Sequence, residues 1–500
     1  MSRPVRVRFA PSPTGPLHIG GVRTALFNYL FAKKNGGTFY IRIEDTDQTR
    51  FVAEAEDYIF EALEWLGISP DETIGKNEKF GPYRQSERKG MYKEYAEQLI
   101  NSGWAYYAFD SSEKLDELRK EAEANKNTFI YNHTIRETLD TSLKLSKEEI
   151  EKRVATGEHY VIRFKTPVNE TLEINDLIRG TVKFDTNLLD DKVLFKSDGM
   201  PTYHLANIVD DHLMETSHVI RGEEWLPSVP LHYLLYKAFE WEAPEFAHLP
   251  LILKPVGNGK LSKRDGDKMG FPVFPLEWKT AEGTSMGYRE NGFFPEAVVN
   301  FLALLGWNDG TEQELFSLEE LIEKFDLGRI HKAGAKFDPE KNKWFNHKYL
   351  QKKEDETLAN LFKIELDKKN VTTTLDITRV VSLVKERANF VTELWGLSDY
   401  FFVAPNEYDA KANKNWKDDT PELMQKVITE LNTISNFTSL NIETLLKEWM
   451  TQNEIGMGKV MQPLRLSLVG ALKGPHLFDI IEMIGKEETV RRIEKAIATL

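Results

Sequence analysis

The chain has 500 residues, 41% of them hydrophobic, and a formal net charge of −14 from 65 Lys and Arg against 79 Asp and Glu. That length exceeds one hydrophobic core and implies several domains, and no apolar run approaches the roughly 18–20 residues that span a bilayer. The absence of cysteine excludes disulfides, thiolate zinc sites and thiol nucleophiles, and the acidic balance argues only mildly against a nucleic-acid partner, because phosphate contacts need just a local basic surface.

Val5, Val7 and Phe9 alternate with Arg6 and Arg8, the period of a strand. Pro11-Ser-Pro-Thr-Gly-Pro-Leu-His-Ile-Gly-Gly21 follows as a Gly/Pro-rich loop. Val22, Ala25, Leu26, Tyr29 and Leu30 then recur at helical spacing up to the stop Asn35-Gly36-Gly37. Phe39, Ile41 and Ile43 alternate again and end on Glu44. This is a right-handed βαβ unit, and its loop is expected to offer free backbone N–H groups to phosphate at a helix N-terminus. A helix is expected over Ala53–Leu66, a turn at Gly81-Pro82-Tyr83, and a helix over Ser86–Ile100 with Ser86 as N-cap. Trp104–Phe109 reads as a strand. Residues 110–153 are charged and helical, with a capping box at Ser146 and Glu149. Residues 159–198 read as short strands. This α+β block looks inserted, because the α/β pattern resumes after it with a helix from Tyr203, a strand ending at Ile220, a helix over Pro227–Phe239 and a strand over His248–Leu253. A polar loop, 255–267, carries Lys260-Leu-Ser-Lys263-Arg264. Phe271–Trp278 is Pro- and aromatic-rich and resists classification. From Pro295 the chain is mainly helical, with a Ser317 cap and a helix opened by Asp338-Pro339.

One loop suited to phosphates and a second, basic loop that closes over them suit phosphoryl or nucleotidyl transfer, where positioning and charge neutralisation do most of the work. Against this stands the plainer reading of 260–264 as a solvated basic surface. Likewise Arg8 and Arg221, at the C-terminal ends of strands where doubly wound sheets bind ligands, suit carboxylates, but also suit structural ion pairs. Val209-Asp-Asp-His212 has no matched metal spacing and reads as structural.

Phe9-Ala-Pro-Ser-Pro-Thr-Gly15 with His18-Ile-Gly-Gly21, Arg42-Ile-Glu-Asp-Thr-Asp47, Gly81-Pro-Tyr-Arg-Gln-Ser86, Pro201-Thr-Tyr-His-Leu-Ala-Asn207 and Lys260-Leu-Ser-Lys-Arg264 together resemble the bacterial glutamyl-tRNA synthetases, a branch of the class I aminoacyl-tRNA synthetases. The resemblance implies an α/β multidomain fold. It places a Rossmann-type catalytic domain in two halves, 1–103 and 199–254, around an α+β acceptor-end-binding insertion, 104–198. A signature-loop and stem-contact region, 255–350, and an all-helical anticodon-binding region, 351–500, follow. It implies ATP-dependent ligation of L-glutamate to tRNA(Glu) through a glutamyl-adenylate, the alternative being an enzyme that also charges tRNA(Gln).

By the same resemblance, Pro11, Ser12, Thr14, Gly15, His18, Gly20, Gly21, Lys260, Ser262, Lys263 and Arg264 bind ATP, and Lys263 and His18 carry catalysis. Arg8, Ser12, Glu44, Tyr203, Asn207 and Arg221 surround glutamate, with Glu44 on the ammonium. Gly21 stands where the wider class has a second His, and Leu261 and Arg264 where it has Met and Ser. ATP with Mg2+ is expected, and no zinc, since the cysteine cluster some relatives carry in the insertion is absent. Lys385, Arg387 and the Lys459–Arg465 stretch are candidate tRNA contacts. A cytoplasmic monomer without membrane association is expected.

Overall fold

A computed structural model describes residues 3–47, 49–281 and 283–500. Two compact units divide the chain. The first runs to Asn291 and takes in Pro295–Pro339; the second joins Gly292–Phe294 to Glu340–Leu500.

The first unit opens with β1 (Arg6–Phe9), α1 (Ile19–Lys34) and β2 (Thr38–Ile41), and β1 and β2 pair in parallel from Arg6 with Thr38 to Phe9 with Ile41. Helix α1 is buried almost all round, since Phe27, Asn28 and Ala32 are covered as well as the expected apolar stripe. Wholly buried Leu26, Phe27 and Leu30 each contribute about 1.5–3 kcal/mol. The one buried amide, Asn28, donates to the Thr24 and Ile220 carbonyls. The helix stops at Asn35 as its C-cap. Gly37 is required there, because a Cβ would lie 2.3 Å from the Val5 carbonyl oxygen.

Helices α2 (Ala53–Trp65) and α3 (Lys89–Asn101) follow. A 3-10 turn, Gln85–Arg88, precedes α3, and Ser86 does not cap it. Its hydroxyl and amide donate instead to Asp45, at 2.5 and 2.8 Å, because a buried carboxylate outcompetes a helix end for those donors.

The block after α3 holds β3 (Ala105–Ala108), α4 (Ser112–Ala124), α5 (His133–Arg136), α6 (Lys147–Ala155), β4 (Val161–Phe164), β5 (Thr171–Asp176), β6 (Gly180–Asp185) and β7 (Val193–Phe195). The Ser146 capping box forms. Strands β3, β4 and β7 make one antiparallel sheet around buried Asp191. That carboxylate accepts from Tyr106, Arg136 and the Thr166 amide. The β5–β6 hairpin goes elsewhere and extends a sheet of order β6-β5-β9-β8.

The α/β pattern resumes with α7 (Tyr203–Leu213), β8 (His218–Gly222), α8 (Val229–Ala238), β9 (Glu245–Leu249) and β10 (Ile252–Leu253). The expected 248–253 strand is thus two strands, because Pro250 has no N–H for a ladder. Pro227 lies in a 3-10 segment ahead of α8. One hydrophobic core joins α3, α7 and α8 to Phe164, Ile174 and Leu194 of the inserted block.

Then come α9 (Lys263–Met269), a hairpin of β11 (Trp278–Thr280) with β12 (Gly283–Ser285), α10 (Pro295–Ala303), and α11 (Leu318–Lys324) with its Ser317 box. Among the described residues no helix is long and apolar enough to cross a membrane.

The second unit is built of helices, from α12 (Pro339–Lys352) to a last one over Lys486–Thr499. Its centre holds buried Arg492, which donates to the Tyr400 and Leu468 carbonyls and pairs with Glu488. Of the basic residues singled out there, Lys385 pairs with Asp355, Lys459 with Asp419, and Arg465 with the carbonyls of Lys473 and Pro475, while Arg387 is exposed.

Candidate active site

A cleft of about 1120 Å3 opens at the C-terminal ends of β1 and β8. Every residue singled out for ATP or glutamate lines it except Ser262 and Arg264: Pro11, Ser12, Thr14, Gly15, His18, Gly20 and Gly21 from the first loop, Lys260 and Lys263 from the second, and Arg8, Glu44, Tyr203, Asn207 and Arg221 from the strands, the segment after β2 and α7. Ser262 turns away because its amide and hydroxyl both bond Asp265 at the start of α9.

The first loop differs from the expected cradle of free amides. The Ile19 N–H donates to the Val273 carbonyl at 3.0 Å, and the Gly21 N–H to the His18 carbonyl at 2.8 Å. The Gly20 N–H donates to His18 Nδ1 at 3.1 Å. Helix α1 is therefore capped by its own histidine, and three of its leading donors are spent. What the loop presents is the other face of that ring. With Nδ1 accepting, the proton of the neutral imidazole sits on Nε2, and that atom is buried without a partner. Burial, then the charge of Lys260, pushes His18 down to about 4, so it is neutral at pH 7.

Phe271–Trp278, unclassified from sequence, supports this ring. Val273 holds the Ile19 amide, Phe274 stands edge-on to His18 at 6.1 Å, and the Tyr58 hydroxyl bonds the Leu276 backbone. Gly21 faces the loop's own packing: a Cβ there would come 2.7 Å from Leu17 Cδ1. A side chain at this position would displace Leu17.

Lys260 and Leu261 pair with β10, which returns the second loop to the cleft. Lys260 Nζ is tied to Glu224 at 2.7 Å. Lys263, at the first position of α9, is exposed, and its ammonium has no partner among the described residues.

The arginines divide into two kinds. Arg8 grips Asp211 with Nε and Nη2, both at 3.0 Å, and Arg42 bonds Asp211 and Glu44. Burial alone would raise the Asp211 carboxyl, but Arg8 and Arg42 outweigh it and hold it below the usual range. Asp210 likewise takes Arg88, Gln85 and Tyr92. The Asp210-Asp211 run is therefore structural, and Arg8 is both an ion pair and a cleft residue, with Nη1 left over among the described residues. Glu44 spends Oε1 on Arg42 and Asn207, leaving Oε2 without a partner among the described residues.

Arg221 is of the second kind. It is buried, yet no carboxylate lies within ion-pairing distance of it among the described residues. Its Nε donates to His248 Nε2 at 3.1 Å and its Nη1 to the Tyr203 hydroxyl at 2.9 Å and to His232 Nδ1 at 3.4 Å, while Nη2 reaches the Trp225 carbonyl at 3.5 Å. Burial, then Arg221, drives His232 well below its ordinary value. All these partners are neutral. A buried cation without a counterion is costly unless one arrives, and the cleft is where one would arrive. Sequence reasoning found Arg221 and read the Asp210-Asp211 run as structural, but assigned no role to Arg42, His232, His248 and Asp176, which hold the arginines. Of these four, Arg42 alone lay inside a quoted motif, 42–47.

A family model described as tRNA synthetases class I (E and Q), catalytic domain, matches residues 4–344, and one described as anticodon binding domain matches 345–497. A glutamate–tRNA ligase of Flavobacterium psychrophilum is 79% identical over the full length of both chains, and one of Flavobacterium johnsoniae 76%. The crystal structure of a glutamate tRNA ligase from Elizabethkingia meningosepticum, in complex with its amino acid, is 53% identical and superposes with a TM-score of 0.97 over 99% of each chain. A glutamate-tRNA synthetase from Elizabethkingia anophelis gives 0.94 at 53% identity, over 99% of this chain and 100% of that one.

Proposed function

The chain belongs to the class I tRNA synthetases for glutamate and glutamine, and from that premise we propose that it joins L-glutamate to tRNA(Glu) at the expense of ATP. The observation that carries this reading is the buried Arg221 guanidinium, ringed by neutral acceptors in the same cleft as His18 and Lys263. A side-chain carboxylate matches its charge and its planar fork, whereas the neutral amide of glutamine would leave the charge uncompensated. The Tyr203 hydroxyl accepts from Arg221 and has its own proton to donate to the same group. Glu44 Oε2 takes the ammonium, with Arg8 Nη1 and Ser12 beside the amino acid.

Glutamate's α-carboxylate oxygen attacks the α-phosphorus of ATP, the bond to the β-phosphate breaks, and pyrophosphate leaves. A terminal ribose hydroxyl of the tRNA then attacks the acyl carbon and AMP leaves. The protein needs no nucleophile. Its work is to hold the reactants in line and to meet spreading oxygen charge. His18 gives one neutral Nε2–H donor to the triphosphate from a ring locked by Gly20 and Phe274. The uncommitted Lys263 adds a cation, and Lys260 does so once released from Glu224.

Among the described residues no group of three His, Asp or Glu is placed to hold a metal. Mg2+ accompanies ATP and screens the charge of its phosphates, and with no cysteine in the chain no zinc is expected. Residues 104–198 form the acceptor-end-binding insertion between catalytic halves 1–103 and 199–254, region 255–350 contacts the stem, and helices 351–500 read the anticodon of a tRNA bound by a cytoplasmic monomer. The test is charging of purified tRNA(Glu) and tRNA(Gln) side by side with labelled glutamate and with labelled glutamine. ATP-dependent transfer of glutamate to tRNA(Glu) is expected. Transfer of glutamine, or none of glutamate, overturns the reading.

A further inference from the structure

Behind Arg221 runs a chain of hydrogen bonds that the reaction does not touch. Asp176 ends β5, where the inserted hairpin pairs with β9. Its Oδ1 accepts from the backbone N–H groups of Ile178, Arg179 and His248. Its Oδ2 lies 2.6 Å from His248 Nδ1. His248 Nε2, on the ring's far side, accepts from Arg221 Nε. The protons are therefore fixed. Arg221 is always a donor, so His248 Nε2 must be bare and its proton must sit on Nδ1, facing Asp176. Asp176 and His248 are both buried.

We propose that Asp176 is a positioning residue for amino-acid selection: through the His248 tautomer it aims the Arg221 guanidinium at the substrate's side-chain carboxylate, and so sets the preference for glutamate over glutamine. The proposal rests on the reading of Arg221 given above. Two features favour this arrangement over a direct carboxylate. An aspartate on Arg221 itself would neutralise the charge that the substrate must meet, as Asp211 does for Arg8. A neutral imidazole holds the fork without competing for that charge. The imidazole alone has two tautomers, and only the one Asp176 enforces accepts from Arg221. The hairpin that carries Asp176 lies in the inserted block, so the block supplies a component of the amino-acid site from behind.

Isosteric variants separate aiming from packing. In Asp176→Asn, Oδ1 keeps its three backbone donors while Nδ2 faces His248. The ring must then put its proton on Nε2, donor against donor with Arg221. In His248→Asn the amide overlays the Nδ1 end and satisfies Asp176 but does not reach Arg221. In His248→Gln the amide oxygen overlays Nε2 and accepts from Arg221 without help. Calorimetric titration of each full-length variant with glutamate, and charging kinetics with tRNA(Glu), give the readout. Asp176→Asn and His248→Asn are expected to weaken glutamate binding by about tenfold or more, raising KM with much less change in kcat and narrowing the glutamate-to-glutamine ratio. His248→Gln is expected to stay within about threefold of wild type. The proposal is overturned if Asp176→Asn binds like wild type, or if His248→Gln falls as far as His248→Asn. Arg221→Gln is the control. Undiminished glutamate binding there overturns the underlying reading of Arg221, whereas a loss there with none in Asp176→Asn overturns the relay alone.

Discussion

His18 does two jobs with two nitrogens, and the two come apart by substitution. Nδ1 caps α1 through the Gly20 amide, and Nε2, buried and unpartnered, is the donor offered to the triphosphate. In His18→Asn the side-chain oxygen reaches the Gly20 N–H, and Asn is among the best N-cap residues, so the helix keeps about 1 kcal/mol of capping. What goes is the Nε2–H. A hydrogen bond to a charged group is worth about 1.5–3 kcal/mol, which is about a 10–150-fold loss of transition-state binding. His18→Gln is the converse: its amide nitrogen overlays Nε2 and its cap is lost. The assay is tRNA charging at varied ATP, together with a melting curve. His18→Asn should melt within a few degrees of wild type and lose 10–150-fold in kcat/KM for ATP, while His18→Gln should retain more activity at lower stability. A fully active His18→Asn, or a His18→Gln no better than His18→Ala, refutes the division of labour.

Lys263 has no partner among the described residues, so Lys263→Ala should leave the melting temperature unchanged and lower turnover about 10²–10³-fold with little change in glutamate binding; an unchanged turnover number contradicts its role. Asp211 neutralises two buried arginines, so Asp211→Ala should cost about 3–5 kcal/mol in denaturant unfolding. The buried histidines give a pH signature. Burial, with help from nearby cations, pushes His18 and His204 each down to about 4, below the roughly 6.5 of the unfolded chain. The unfolded state binds more protons between those values, so stability is full above pH 6.5 and falls as pH drops towards 4. Urea midpoints should therefore be lower at pH 5 than at pH 7, and equal midpoints contradict the burial of these rings. Elemental analysis of the purified protein should find no stoichiometric zinc.

The parts of this site that local pattern governs were legible in the sequence. Alternation marked β1 and β2, helical spacing marked α1, and the Ser146 and Ser317 boxes formed where their spacing put them. Fourteen of the sixteen binding positions that the family resemblance implied line one cleft, Ser262 and Arg264 being the exceptions. What was not legible depends on distance. Nothing near Asp176 announces a partner 72 residues on, or that β5 would leave its own block for β9. The amides of α1 looked free because nothing in the loop says that Val273 and the His18 ring take them. Ser86 looked like a cap because a sequence shows the hydroxyl and not the competing Asp45. Arg8 and Arg221 were alike on paper, each with a structural and a functional reading. The difference between them, a carboxylate on one and none on the other, is purely tertiary.

The central claim is that an unmatched buried charge on Arg221 reads the substrate's side chain. Titrating the unmodified protein with glutamate and with glutamine in a calorimeter tests it most directly. The two ligands differ by one charge and almost nothing in shape. Glutamate is expected to bind about a hundredfold or more tighter, and comparable binding of the two would contradict the role of Arg221.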